Sequence, residues 1–434
     1  MSARAAPEDR IGERLGGRLE ERFGARAVSS ARVRAGEPEL PLVEPADLEE
    51  LAELVRFAGH EGLALVPIGL ASKLGWCRAP ARADLLVSTR RLSGIVAHVP
   101  EDGTLSARAG TRLSDLREAA RAGGHFLTPD VARPAAATLG GVLAAGESGW
   151  DRLRFGPARH HVLGMRVLLA DGSLAKSGGQ LVKNVTGYDL HRLYCGSHGS
   201  LCVIVEASLR LFPEPESELW SEVAARDSVH LLERARAALA LPARIVTLCA
   251  ERVHGEVGWK LCSRLFGKRG PLLAERASLE QAWPDTSTIE GADARRTAEE
   301  RRDASLEREA LPWLHVTCMP SGLPAVLSEL ESALARTRFE TRWLAHPGVA
   351  TVDVQLGAVE DGAEAAIAGL VRELRRNLAR IPSVRVALRN APSAALAESE
   401  PFGEAPRGLE LMRALQDKLD PGGVFAAGRF QGGL

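Results

Sequence analysis

Apolar residues recur at helical spacing from Leu48 to Ala58, after Pro45 and Asp47 as start signals, and a short apolar strand, Leu63 to Ile68, follows. A helix feeding a strand therefore opens the chain's first domain. Asp84 to Thr89 reads as a buried strand. Gly94 to Ala109 alternates around Asp102-Gly103, a two-residue hairpin signal, and Leu113 to Ala122 is amphipathic. His161 to Leu169 and Leu174 to Lys176 form a second hairpin across Asp171-Gly172, and Leu201 to Phe212 alternates as a half-buried strand.

The pair Pro213 and Pro215 marks a domain boundary. Beyond it, strands over Arg244 to Cys249 and Val349 to Leu356 interleave with helices over Gly322 to Arg336 and Gly362 to Ala379. That order predicts an antiparallel sheet with helices on one face. Ser278 to Leu311 is charged and reads as a surface helix or mobile loop. In the helix Arg407 to Leu419, Leu409, Met412, Leu415 and Leu419 form an apolar face that should dock on the rest of the molecule.

Composition narrows the class. The 434 residues are 45% hydrophobic, enough for a large core and two domains, and the 55 basic and 56 acidic residues leave a net charge of -1. Neither a nucleic-acid footprint nor a polybasic membrane patch is implied. The six cysteines form no CxxC pair, which argues against a zinc ribbon, an iron-sulfur cluster or a disulfide scaffold. Residues 1–34 lack an apolar signal core and no run is long enough for a membrane helix, so the expectation is a cytoplasmic protein with no membrane span of its own. Any association with the inner membrane would come through partners.

The densest chemical signal runs from Pro129 to Pro215, where glycines recur wherever strands meet, as in a chain wrapped closely round a large ligand. It holds Thr138-Leu139-Gly140-Gly141, Gly146, Ser148 and Gly149, then Lys183-Asn184-Val185-Thr186-Gly187-Tyr188-Asp189, then Gly199 and a strand with Val203 and Ile204. This pattern, from about residue 40 to 215, together with the tail Asp420-Pro421-Gly422-Gly423-Val424-Phe425-Ala426-Ala427-Gly428-Arg429, resembles FAD-dependent oxidases of the vanillyl-alcohol oxidase/p-cresol methylhydroxylase (PCMH) type. Within them it is most similar to the E subunit of bacterial glycolate oxidase.

The resemblance implies an α+β chain: an N-terminal extension (1–35), a two-subdomain PCMH-type FAD-binding domain (36–215), an α+β cap or substrate domain with an antiparallel sheet (216–400), and a C-terminal helix and tail (401–434) that return to the FAD domain. It implies noncovalent FAD, since His60 and Cys77 beside the first turn do not match covalent-attachment patterns. The first cradle would be Pro67, Gly69, Leu70, Ala71, Ser72 and Lys73. Leu70 and Ala71 stand where such a turn carries glycine for positive φ and for N–H groups aimed at the pyrophosphate. The second cradle, Thr138 to Gly149, keeps the family pattern, with Pro129 and Asp130 shaping the turn before it. Lys183, Asn184, Gly187, Tyr188 and Asp189 would close the domain over the flavin, with Lys183 supplying charge and Asp189 capping the turn after it. Val203 and Ile204 would place backbone groups at the ring edge, and Arg429 would meet pyrophosphate or a substrate carboxylate.

By the same resemblance the chain is the FAD-binding subunit of a 2-hydroxy-acid (glycolate-like) oxidase complex, beside a catalytic flavoprotein subunit and an iron-sulfur subunit, with a small 2-hydroxy acid as substrate. The catalytic relatives carry a late His- and Gly-Asp-rich motif that supplies metal ligands and a base. This chain has none, so no metal is expected and no catalytic residue is assigned. The alternative is a non-catalytic scaffold subunit with weak or no FAD binding, for which Leu70, Ala71, Ala426 and Ala427 argue. A free-standing oxidase with its own pocket in residues 216–400 is the third reading.

Overall fold

The computed structural model describes residues 7–33, 37–180, 187–305, 311–357, 363–392, 395–396, 400–425 and 427–434. Strands β1 (Val28–Ala31), β2 (Leu40–Val43), β3 (Leu65–Ile68) and β4 (Leu85–Ser88) form a small sheet in the order β1-β2-β4-β3, parallel across β2, β4 and β3. The helix Leu48–Glu61 covers it. Asp47 caps that helix by accepting from the N–H groups of Glu49 and Glu50, and Gly62 ends it in the left-handed region at φ 65°. Its buried face of Leu51, Leu54, Val55 and Ala58 packs with Leu65, Leu85 and Val87. Leu15 and Leu19 of the helix Pro7–Phe23 join the same core, so the N-terminal segment is packed against this unit.

The second sheet contains β5 (Ile95–Val99), β6 (Thr104–Arg108), β7 (His125–Leu127), β8 (Val162–Leu168), β9 (Leu174–Gly178) and β10 (Val203–Pro213). Its order is β5-β6-β10-β8-β9, with β7 beside β10. The two expected hairpins are β5-β6 and β8-β9, each antiparallel. The third sheet comprises β11 (Ser217–Ala225), β12 (Ile245–Val253), β13 (Trp259–Gly267), β14 (Ser287–Glu290), β15 (Trp313–Thr317), β16 (Glu340–His346), β17 (Thr351–Gly357) and β18 (Arg385–Arg389). Its order among the described residues is β14-β11-β13-β12-β16-β17-β15-β18, antiparallel throughout.

Strand alternation divides this sheet into two faces. Leu314, Val316, Val352, Val354, Trp343, Ala345, Val386 and Leu388 point to the side covered by the helices Leu323–Ala335 and Ala363–Leu378 and form one core with them. The intervening residues Trp313, His315, Asp353, His346 and Arg389 therefore lie on the opposite face.

One expectation changes here. The stretch read as a surface helix or loop contains β14 and the helix Gly291–Ser305, whose Ala294, Ala298 and Arg302 are buried. Charge-rich sequence hid this, because Arg302 is buried as an ion-pair partner: Asp130 pairs with it, with Arg117 at 3.0 Å and with Arg264 at 3.6 Å. Arg264 in turn holds Glu218 at 2.8 Å and Asp151 at 3.4 Å. The helix Leu409–Leu419 turns Leu409, Met412, Leu415 and Leu419 inward as half-buried residues, none of them fully buried, and Leu419 packs against the core of the second sheet. The segment after it does return: Leu65 N–H donates to the Val424 carbonyl at 2.7 Å, and Asp420 accepts from the N–H groups of Val424 and Phe425 at 2.8 and 2.7 Å.

Candidate flavin cleft and adjoining cavity

Past β3 the chain runs through Gly69 to Lys73 and forms one wall of a cleft with about 670 Å³ of empty space, open to solvent. Thr138, Gly140 and Gly141 form the facing wall, and His198, Gly199, Val203, Ile204 and Arg429 complete it. The glycines are set by contact. A side chain on Gly69 would overlap the Thr138 hydroxyl, and a β-carbon on Gly140 would fall 2.8 Å from that of Ala109. Thr138 caps the helix Leu139–Ala145 by accepting from Gly141 N–H at 3.2 Å. Ala71 takes up the left-handed φ of 60° that glycine would adopt without strain, a cost on the order of 1 kcal/mol, and Leu70 lines the cleft.

Arg429 reaches this wall because the tail folds back over Cys77. One guanidinium nitrogen lies 2.8 Å from the Cys77 sulfur, while the buried Nε has no hydrogen-bond partner among the described residues. Lys73 and Glu147 join the two glycine-rich segments through a buried ion pair at 3.0 Å. His198, at φ 53°, packs at a tilt against Phe402 and Phe430, which also touch each other, and burial, then Arg429 and Arg389, push its pKa down to about 3.

A second cavity of about 890 Å³ of empty space adjoins the cleft, with Ala145 lining both. Gly146, Ser148 and Gly149 line this cavity and not the cleft. Its far wall is the polar face of the third sheet: Trp313, His315, His346, Asp353 and Arg389, with Trp76 and Arg152 from the N-terminal half. His315 and Asp353 are directly opposed across β15 and β17, with Nδ1 to Oδ1 at 2.6 Å. Burial works against the charge on Asp353, but His315 and Arg389 hold its carboxyl below the usual value. Burial, then Arg389, lower the His315 pKa against the pull of Asp353, and burial pushes His346 down to about 4. Both rings are neutral at pH 7.

Several sequence-based site assignments fall elsewhere. Asp130 lies in the buried ion network instead of the cleft, and Pro129 precedes it after a cis peptide bond. Leu139 is buried in the core of the second sheet. Gly187 makes its bend at φ 81°, but Tyr188 is 91% exposed. Asp189 does not cap the following turn; it pairs with Arg192 at 3.1 Å, while Leu190 takes the cap position without a side-chain bond. Lys183, Asn184 and Ala426 lie outside the described residues. The polar cavity wall was missed in the sequence, although its signal was present: in Trp-Leu-His-Val-Thr and Thr-Val-Asp-Val-Gln the polar residues share one strand register.

Residues 40–178 match the family model described as an FAD binding domain. This chain carries an FAD binding domain. Glycolate oxidase subunit GlcD of Bacillus subtilis is 29% identical over 177 residues, 41% of this chain and 38% of that protein. D-2-hydroxyglutarate dehydrogenase of Xanthomonas citri is 28% identical over 334 residues, 71% of each chain. D-lactate dehydrogenase of Archaeoglobus fulgidus is 32% identical over 176 residues, 40% of this chain and 39% of that one. The match thus spans well under half the length of the first and third of these relatives. A solved structure of alkyldihydroxyacetonephosphate synthase superposes with a TM-score of 0.71 at 13% identity, covering 98% of this chain and 86% of that one, so the two share a fold.

The cleft residues suit FAD. The unpartnered Nε of the buried Arg429 and the tight approaches at Gly69 and Gly140 leave a backbone-walled groove with a cation on one side, which matches a long ligand carrying a pyrophosphate. Gly69 to Lys73, Thr138, Gly140, Gly141, Gly199, Val203, Ile204 and Arg429 would hold it.

Proposed function

We propose that this protein is an FAD-linked oxidoreductase that takes two electrons from a small 2-hydroxy acid and acts as the flavin subunit of an oxidase complex with a catalytic flavoprotein and an iron-sulfur protein. The observation that carries the reading is the junction at Ala145, where the flavin cleft meets a polar cavity. Bound FAD supplies the two-electron acceptor. The chain's own part is to hold the cofactor through the two glycine-rich segments and Arg429, and to present a neutral His315 beside the place where a substrate would sit. The names of the relatives, oxidising glycolate, D-lactate and D-2-hydroxyglutarate, support the substrate class.

The scaffold reading keeps one observation in its favour: Ala71 carries backbone strain where glycine would carry none, and the Leu70 side chain lines the cleft. The purified chain separates the two. Near-stoichiometric flavin by visible absorption, bleached anaerobically by glycolate, D-lactate or D-2-hydroxyglutarate, supports the oxidoreductase. A colourless protein that takes up no added FAD moves the assignment to a scaffold.

A further inference from the structure

The polar cavity brings a guanidinium and hydrogen-bonding groups together on one wall, with Asp353 and Glu147 also among its lining residues. Arg389 lies over the rings of Trp76 and Trp313, 4.5 and 5.5 Å from their centroids, and among the described residues no carboxylate stands within ion-pair distance of it. Trp76 and Trp313 also line this cavity, and their buried indole Nε1 atoms have no hydrogen-bond partner among the described residues. Arg152 adds a second guanidinium to the wall. A partly buried guanidinium on a cavity wall, with no carboxylate in contact, is costly unless something supplies acceptors, and an anion with planar acceptor geometry supplies them best.

Next to this guanidinium, His315 offers an acceptor. The ionised Asp353 can only accept, so Nδ1 of His315 carries the proton and Nε2 keeps its lone pair. Burial and Arg389 keep the ring neutral. An acceptor next to an anion anchor fits a hydroxyl close to a carboxylate.

We propose that this cavity is a carboxylate site in which Arg389 anchors the anionic end of a small hydroxy acid and Nε2 of His315 accepts a hydrogen bond from its hydroxyl. The assignment rests on the oxidoreductase reading for its place beside the flavin, and it gives this chain a substrate site of its own, on residues 313–389, without the late motif of the catalytic relatives.

The test is calorimetric titration of the full-length, FAD-loaded protein with oxalate, glycolate and acetate. Oxalate should bind the wild type, and Arg389→Met should weaken it at least about 30-fold, with Arg389→Lys between them, flavin content and melting temperature being followed in each. Glycolate should bind at least about fivefold more tightly than acetate, and the H315F/D353L double variant, which removes the buried pair together, should abolish that preference while still binding oxalate. Oxalate affinity that is the same in wild type and Arg389→Met overturns the site, as does a flavin-replete wild type that binds none of the three anions. Failure of the oxidoreductase reading looks different: no 2-hydroxy acid bleaches the flavin, yet oxalate still binds through Arg389.

Discussion

Gly140 donates its N–H to the carbonyl of Ala109 at 2.8 Å, and a β-carbon there would fall 2.8 Å from the Ala109 β-carbon. The helix Leu139–Ala145 is thereby seated directly on the end of β6, and the flavin cleft takes its depth from that seat. Gly140→Ala should push the helix outward, lower stability by about 2 kcal/mol and cut FAD retention at least tenfold. Denaturant unfolding and flavin content after gel filtration measure the two effects; a variant that keeps wild-type flavin would disconnect this packing from the cofactor.

Ala71 is strained at φ 60° in the first cradle turn. Ala71→Gly should relieve roughly 1 kcal/mol of backbone cost, partly offset by the greater freedom of glycine in the unfolded chain, so the net stability change stays within about 1 kcal/mol. The informative readout is FAD affinity by fluorescence quenching. A several-fold gain indicates that the native turn limits binding; an unchanged Kd indicates that the turn is already formed.

Asp130 and Arg302 link the loop before the second cradle to the helix Gly291–Ser305. Arg302→Met leaves Asp130 with Arg117 and Arg264 but removes a fully buried partner, and should cost on the order of 3 kcal/mol. Asp130→Asn combined with Arg302→Met should not recover that loss, because Arg117 then loses the carboxylate it pairs with at 3.0 Å. A double-mutant cycle by urea unfolding checks the coupling.

Asp151 shares this network, and burial, then the charge of Asp130, against Arg264, push its pKa up to about 7. In the folded state it keeps its proton where the unfolded chain, with an ordinary value near 4, gives it up. Its contribution to stability is therefore full below about pH 4 and declines as the pH rises to about 7. Asp151→Asn removes that decline. The variant should gain stability relative to wild type between pH 5 and pH 8, by on the order of 2 kcal/mol, in unfolding titrations at the two pH values. His346, held down at about 4 by burial, acts with the opposite sign over pH 4 to 6.5 in both proteins and cancels from the comparison.

The local signals in the chain were sufficient for what is made of neighbours. Asp47 and Gly62 bound a helix wherever it packs, Asp171-Gly172 turns a hairpin, and Thr138-Leu139-Gly140-Gly141 announces a close backbone approach, so the elements and one wall of the flavin cleft could be read directly. Tertiary structure decided which residues meet across long separations. Asp130 has the place in the sequence of a cofactor-turn residue, yet three arginines, one of them 172 positions away, draw it into the core. His315 and Asp353 are 38 positions apart, and only the β15-β17 register puts them face to face. Alternation indicates that such residues share a face of a strand. What that face looks onto, water or a cavity beside a flavin cleft, depends on how the two halves of the chain are packed together, and no local pattern encodes that.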